Sequence, residues 1–216
     1  SITGGTGAGL FSINPSTGEV TVTNGGTLDR ETTASYTLEV TAQDANNVAL
    51  TTAQTYTINI TDENEAPEFT SPNTLSIPEN STAPTLQAVV DDPEGDAITW
   101  SISGGVDAGL FSISGSGELS IDATKDFETP VDDDMDNQYV VNLRADDGNG
   151  NQTDQVVTVS ITDENEAPEF TTGTTASQNE NTTVTGYDAD ATDPENDGLT
   201  YSIIGTGADD DDFNID

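Results

Sequence analysis

A chain of 216 residues sets 41 Asp and Glu against only Arg30, Lys125 and Arg144, for a formal net charge of -38. That imbalance excludes nucleic acid as a partner, since phosphate recognition needs clustered Lys and Arg. The absence of Cys and His excludes zinc centres, disulfides, thiol chemistry and imidazole acid–base catalysis.

A hydrophobic share of 31% raises disorder as the alternative, but the apolar residues fall in short alternating runs, as half-buried strands require. In chain order these are Ala8-Gly9-Leu10-Phe11-Ser12-Ile13, then Tyr36, Leu38, Val40 and Ala42, then Tyr56, Ile58 and Ile60. After an acidic stretch come Leu75 with Ile77, Leu86 with Ala88 and Val90, Ile98 with Trp100 and Ile102, and Phe111-Ser112-Ile113. Leu119 with Ile121, Tyr139 with Val141, Leu143 and Ala145, and Val157 with Val159 and Ile161 complete the set. No apolar series holds a 3.6-residue period over 11 residues, so little or no helix is predicted, and Trp100 is read as a core residue. No run approaches the roughly 18 apolar residues of a membrane span, and neither end resembles a signal peptide.

The chain repeats itself. Asp62-Glu63-Asn64-Glu65-Ala66-Pro67-Glu68-Phe69-Thr70 returns unchanged as Asp163 to Thr171, a period of 101 residues, and Trp100-Ser101-Ile102 returns as Tyr201-Ser202-Ile203. The period predicts a truncated repeat over 1–66, a complete one over 67–167 and a second truncated one over 168–216, the whole being an excerpt of a longer array. About seven short strands per repeat predict an all-β chain of tandem β-sandwiches.

Acidic residues punctuate these strands at fixed places. The linker Asp62-Glu63-Asn64-Glu65 holds three carboxylates and an amide oxygen, and Ala66-Pro67 keeps it extended. Further acids stand at strand ends: Asp29 and Glu31, Asp44, Asp126 and Glu128, Asp147, and the loop pairs Asp92/Glu94 and Asp193/Glu195. Hard oxygen donors in such density suit calcium, which takes six to eight of them. A single loop pair reads most simply as solvated turn acids; recurrence of the full set at one period favours calcium. The insertion Asp132-Asp133-Asp134-Met135-Asp136 and the run Asp209 to Asp212 are read as solvated loops.

These motifs resemble the cadherin repeat. The linker is similar to the family's Asp-x-Asn-Asp-x-x-Pro-x-Phe signature, Leu28-Asp29-Arg30-Glu31 to its Leu-Asp-Arg-Glu motif, and Pro78-Glu79-Asn80 to its Pro-Glu-Asn motif. The Asp-Pro-Glu-Gly-Asp loop and the Ala-Gly-Leu-Phe-Ser-Ile run resemble bacterial members. The resemblance implies seven-stranded Greek-key, Ig-like sandwiches with calcium between successive repeats. Carried over by motif, one junction would use Asp29, Glu31, Asp62, Asn64, Glu65, Asp92, Glu94 and Asp147, with the carbonyls of Glu63 and Ala66. The other would use Glu79, Asp126, Glu128, Asp163, Asn165, Glu166, Asp193 and Glu195, with Glu164 and Ala167 in the matching linker places. Asp44 would serve a junction upstream. Glu65, Glu166, Glu94 and Glu195 stand where the family has Asp, and Lys125-Asp126-Phe127-Glu128 replaces the Leu-Asp-Arg-Glu motif but keeps both acids.

The function implied is a calcium-dependent adhesion or scaffold module at the cell surface, within a larger secreted or membrane-anchored protein. Its partner would be another surface protein or a glycan, homophilic pairing included. A calcium-dependent glycan-binding module is the alternative. An enzyme is not expected, because the acids lie at repeat junctions with metal-ligand spacing and without a pocket-forming insertion. Strand swapping through an N-terminal Trp is not expected either, since the one Trp lies in mid-strand.

Overall fold

The alternation at Tyr139, Val141, Leu143 and Ala145 becomes the strand Gln138–Asp146, with all four side chains fully buried. Beside it runs Gln152–Thr162, which buries Val157, Val159 and Ile161. This computed structural model describes residues 1–23, 27–81, 85–181 and 187–203; Asp209 to Asp212 lie outside them. Among the described residues the elements are strands apart from one 3-10 turn at Ala108–Leu110. Among the described residues no helix is long and apolar enough to cross a membrane.

Contacts divide the chain into two compact units: Ser1–Thr70 with Val89–Thr99 and Arg144–Thr153, and Ser71–Ala88 with Trp100–Leu143 and Asp154–Asp216. The second unit is built on a four-stranded sheet in the order Thr99–Gly104, Gln138–Asp146, Gln152–Thr162, Thr74–Pro78. The last pairing is parallel, with register from Thr158 opposite Thr74 to Thr162 opposite Pro78. A parallel pair cannot be closed by a hairpin, and the chain between these two strands supplies the other strands of this sheet and those of the sheet facing it. Pro78 ends its strand, where a missing ladder donor is tolerated. Facing that sheet is a three-stranded one, Phe111–Ile113, Glu118–Ile121 and Thr85–Gln87, which adds Phe111, Leu119, Ile121 and Leu86 to the core. Gly105 has φ +112, and a Cβ there would stand 2.6 Å from the Val140 carbonyl oxygen, so only glycine fits.

In the first unit, Ser35–Gln43 pairs antiparallel along its whole length with Thr51–Asn59, and Ile2–Gly4 joins its other edge. Leu38 is fully buried and Phe11 stacks edge-on against Tyr36. Tyr56, expected on an inward face, is 54% exposed. Among the described residues no strand flanks Thr51–Asn59 as Thr74–Pro78 flanks Gln152–Thr162, so less covers that face. In the same unit Glu68–Phe69 pairs with Val90–Asp91. The expected runs are therefore broken: Leu86 and Val90 fall in separate strands, and Glu68–Phe69 and Thr74–Pro78 join different sheets.

Two expectations need correction. Trp100 is half-buried rather than a core residue. Its ring lies over Gly117, where a Cβ would come within 2.8 Å of it. The insertion at Asp132–Asp136 is not wholly solvated, because Asp132 is only 4% exposed. Buried Asp107 ties the insertion down: one carboxylate oxygen accepts the Asp133 N–H at 2.8 Å and the other the Val140 N–H at 2.7 Å. Asp107→Ala strands two backbone donors and is expected to cost about 2–3 kcal/mol, read as a lower urea midpoint with an unchanged slope.

Candidate metal centres

The extended linker brings its acids against a loop and a turn within the first unit. Single oxygens of Glu31, Asp62 and Glu94 lie within 4.8 Å of one another, as do those of Asp92, Glu94 and Asp96. Glu94 is common to both groups. The Asp92-Pro93-Glu94-Gly95-Asp96 loop is closed by the Gly95 N–H on the Asp92 carbonyl and the Asp96 N–H on Asp92 Oδ1, with Gly95 at φ +73. Asp92 Oδ2 and Glu94 Oε1 are buried without a partner. The Glu65 carboxyl faces that of Glu94, with which a shared proton would make a hydrogen bond. That pairing, desolvation, and the charges of Glu94, Glu31 and Asp29 push its pKa from 4.5 to about 7.

Asn64 Nδ2 donates to Asp147 Oδ2 at 2.6 Å, and Asn151 Nδ2 donates to the Asn64 carbonyl at 2.8 Å. Asp147 is 3% exposed, and its Oδ1 accepts the N–H groups of Asn149, Gly150 and Asn151. Desolvation raises the pKa of this carboxylate, yet these donors hold it below the ordinary value. Arg30 reaches Asp62 at 3.5 Å and Glu31 at 3.9 Å.

The second unit repeats the arrangement. Oxygens of Glu128, Glu166 and Glu195 lie within 4.8 Å of one another, and those of Glu79, Asp126 and Glu128 form an adjoining group through Glu128. Glu79 is 4% exposed; its Oε2 accepts the Phe127 N–H at 2.7 Å and its Oε1 the Glu164 N–H at 2.9 Å. One carboxylate thus holds both the loop that presents Asp126 and Glu128 and the linker. Asn80 Nδ2 donates to Glu166 Oε1 at 2.6 Å. Glu166 Oε2 and both Glu195 oxygens are buried without a partner. The facing Glu195 carboxyl, with which a shared proton would make a hydrogen bond, then desolvation and the charges of Glu79, Glu195 and Glu128 push Glu166 to about 7. Glu128 is raised too, by desolvation and then by Glu79, Asp163 and Glu195.

Several expected ligands are engaged elsewhere. Both Asp29 oxygens accept from Thr32, its N–H and its hydroxyl at 2.8 Å each, and the backbone bond leads in lowering its pKa. Asp44 accepts the N–H groups of Asn46 and Asn47. Asp193 accepts the Asp197 N–H, and Asn165 turns its amide onto the Glu166 carbonyl. Glu63, Asp163 and Glu164 are exposed and their carboxylates enter none of the converging groups, and Ala66 and Ala167, expected through their carbonyls, are exposed as well. Asp96 was missed. Its signal was the third acid of the loop, returning as Asp197 in Asp193-Pro194-Glu195-Asn196-Asp197.

Oxygen-only donors, several of them buried and unpartnered, fit a hard divalent cation and no softer metal. The fold and these sites define a class: tandem Ig-like sandwiches with recurring carboxylate clusters. Residues 1–61 match the family "Cadherin domain" and residues 64–160 match "Bacterial Ig domain". The chain is 34% identical over 163 residues to mouse "Cadherin EGF LAG seven-pass G-type receptor 2", covering 72% of the chain and 5% of that receptor. It is 32% identical over 222 aligned positions to mouse "Protocadherin Fat 4", covering 94% of the chain and 4% of that protein. In fold it is similar to human CDH23 EC21-23, with a TM-score of 0.58 at 23% identity over 89% of this chain and 67% of that one. The chain thus carries cadherin-like repeats.

Proposed function

We propose that both carboxylate clusters bind calcium at the junctions of three repeats, 1–66, 67–167 and 168–216, and that the chain serves as a stiffened extracellular adhesion scaffold of bacterial type. The observation that carries this reading is the pairing of Glu65 with Glu94 and of Glu166 with Glu195. Two acid pairs 101 residues apart each hold a carboxyl at about 7, beside buried oxygens that have no partner. A fold that twice sets carboxyls against one another bears a cost that a cation removes. Bound calcium would supply positive charge and six to eight coordination places to these oxygens. Glu31, Asp62, Glu65, Asp92, Glu94 and Asp96 are the ligands of the first site, and Glu79, Asp126, Glu128, Glu166 and Glu195 those of the second. Asn64, Asp147 and Glu79 orient the linkers by hydrogen bonds. Calcium-dependent stiffness holds an adhesive surface away from the cell, where another surface protein, including a second copy, is the partner.

Small-angle scattering tests the mechanical step. In calcium the chain is expected to show a larger maximum dimension and a narrower distance distribution than in chelator. Sodium chloride, which screens the acids but cannot bridge them, should not substitute. Superimposable curves in calcium and chelator would overturn the reading.

A further inference from the structure

The insertion Asp132–Asp136 has no part in either junction. One oxygen each from Asp132, Asp134 and Asp136 lies within 4.8 Å of the others. Acids that close on an exposed loop would mean little by themselves, but Asp132 is 4% exposed and its Oδ1 is buried with no hydrogen-bond partner. Its other oxygen accepts the Asp136 N–H at 2.8 Å. A buried carboxylate oxygen left without a donor is costly, and the carboxylate that carries it stands with two others. Lys125, the lysine of this unit, donates to the Asp122 carbonyl and lies over the Tyr139 ring. The loop is also held before any ligand arrives: the Asp133 N–H is fixed on Asp107, and the Val131 N–H donates to the Tyr139 hydroxyl at 3.3 Å. A preformed site loses little ordering entropy on binding.

We propose that this insertion is a divalent-cation site in its own right, formed by the carboxylates of Asp132, Asp134 and Asp136. Three carboxylates without nitrogen or sulfur donors select a hard ion, and with coordination places left for water the chemistry favours calcium over zinc or copper. The site goes beyond the junction reading and does not depend on it.

The test is calorimetric titration of the whole chain with calcium alone. Asp134 and Asp136 are exposed, so the pair Asp134→Asn and Asp136→Asn removes ligands without opening the core. The double variant is expected to bind one calcium ion fewer per chain, with an unchanged circular dichroism spectrum. Asp133→Asn, whose side chain stands outside the group while its backbone N–H holds Asp107, is expected to bind as many ions as the parent. A double variant with undiminished stoichiometry overturns the proposal. So does an equal loss in Asp133→Asn, which would reduce the effect to general surface charge. Glu94→Gln with Glu195→Gln separates the readings: the insertion should still take its ion when the junction sites are impaired.

Discussion

Calcium at about 10 mM is expected to raise the midpoint of thermal unfolding by about 10 °C, and magnesium at the same concentration by a small part of that. Calcium accepts irregular shells of six to eight oxygens, and the clusters offer irregular ones, with Glu arms of one length beside Asp arms of another. Magnesium demands a tight octahedron and gives up its water reluctantly. Extracellular calcium modules bind at roughly 0.1–1 mM, so about 10 mM of ion stabilises each site by about 1.4–2.7 kcal/mol. Two clusters give about 3–5 kcal/mol, and a chain of this length gains about 2–4 °C per kcal/mol. Scanning calorimetry in each ion, against a chelated baseline, measures the difference. Equal shifts for the two ions would mean that divalent charge merely screens the surface.

In chelator the chain is expected to become more stable as pH falls from about 8 to about 5, and in calcium to show the reverse. Glu65 and Glu166 titrate near 7 in the folded chain against an ordinary 4.5. The folded state therefore holds more protons than the unfolded one between those values, and protonation favours folding. That contribution is complete below about 4.5 and is lost as pH rises through about 7. Asp29, Asp126 and Asp147 have lowered values in the fold. What they contribute is present above the ordinary 3.8 and disappears at lower pH, so the gain ends near pH 4. Calcium inverts the trend because its ligands must be deprotonated, and protons returning to the glutamate pairs displace it. Urea midpoints measured every half pH unit in chelator and in calcium would give two crossing profiles; parallel ones would falsify the role of the paired glutamates.

The sandwich was legible wherever a strand has one dry face. Tyr139, Val141, Leu143 and Ala145 alternate because every second side chain enters the core, and period two is visible without knowing the partner strand. What the strands pair with was not legible. Nothing local says that Glu68–Phe69 and Thr74–Pro78 join different sheets, since the switch depends on strands far along the chain. The same division holds for the sites. Glu65 and Glu94, or Glu166 and Glu195, could be marked as ligands from motif and period, yet that the two carboxyls of a pair meet is a fact of folding. Asp29 carries the motif and turns to Thr32. Asp132 looked like one acid among several in a solvated run, because what holds the neighbouring Asp133 N–H is Asp107, 26 residues back in the sequence.

The parallel pairing of Thr74–Pro78 with Gln152–Thr162 also governs when the second cluster comes into being. Glu79 follows directly on Pro78, and the N–H it holds on Glu164 belongs to a residue 85 positions away. Contacts of such separation form late, because the loop between them must lose its freedom before they return anything. Before that closure the acids of this cluster are scattered along the chain and form no common site. On the proposed reading, the capacity to bind calcium arrives with closure of the sandwich, so a chain held open would be unaffected by calcium and one that has closed would respond to it.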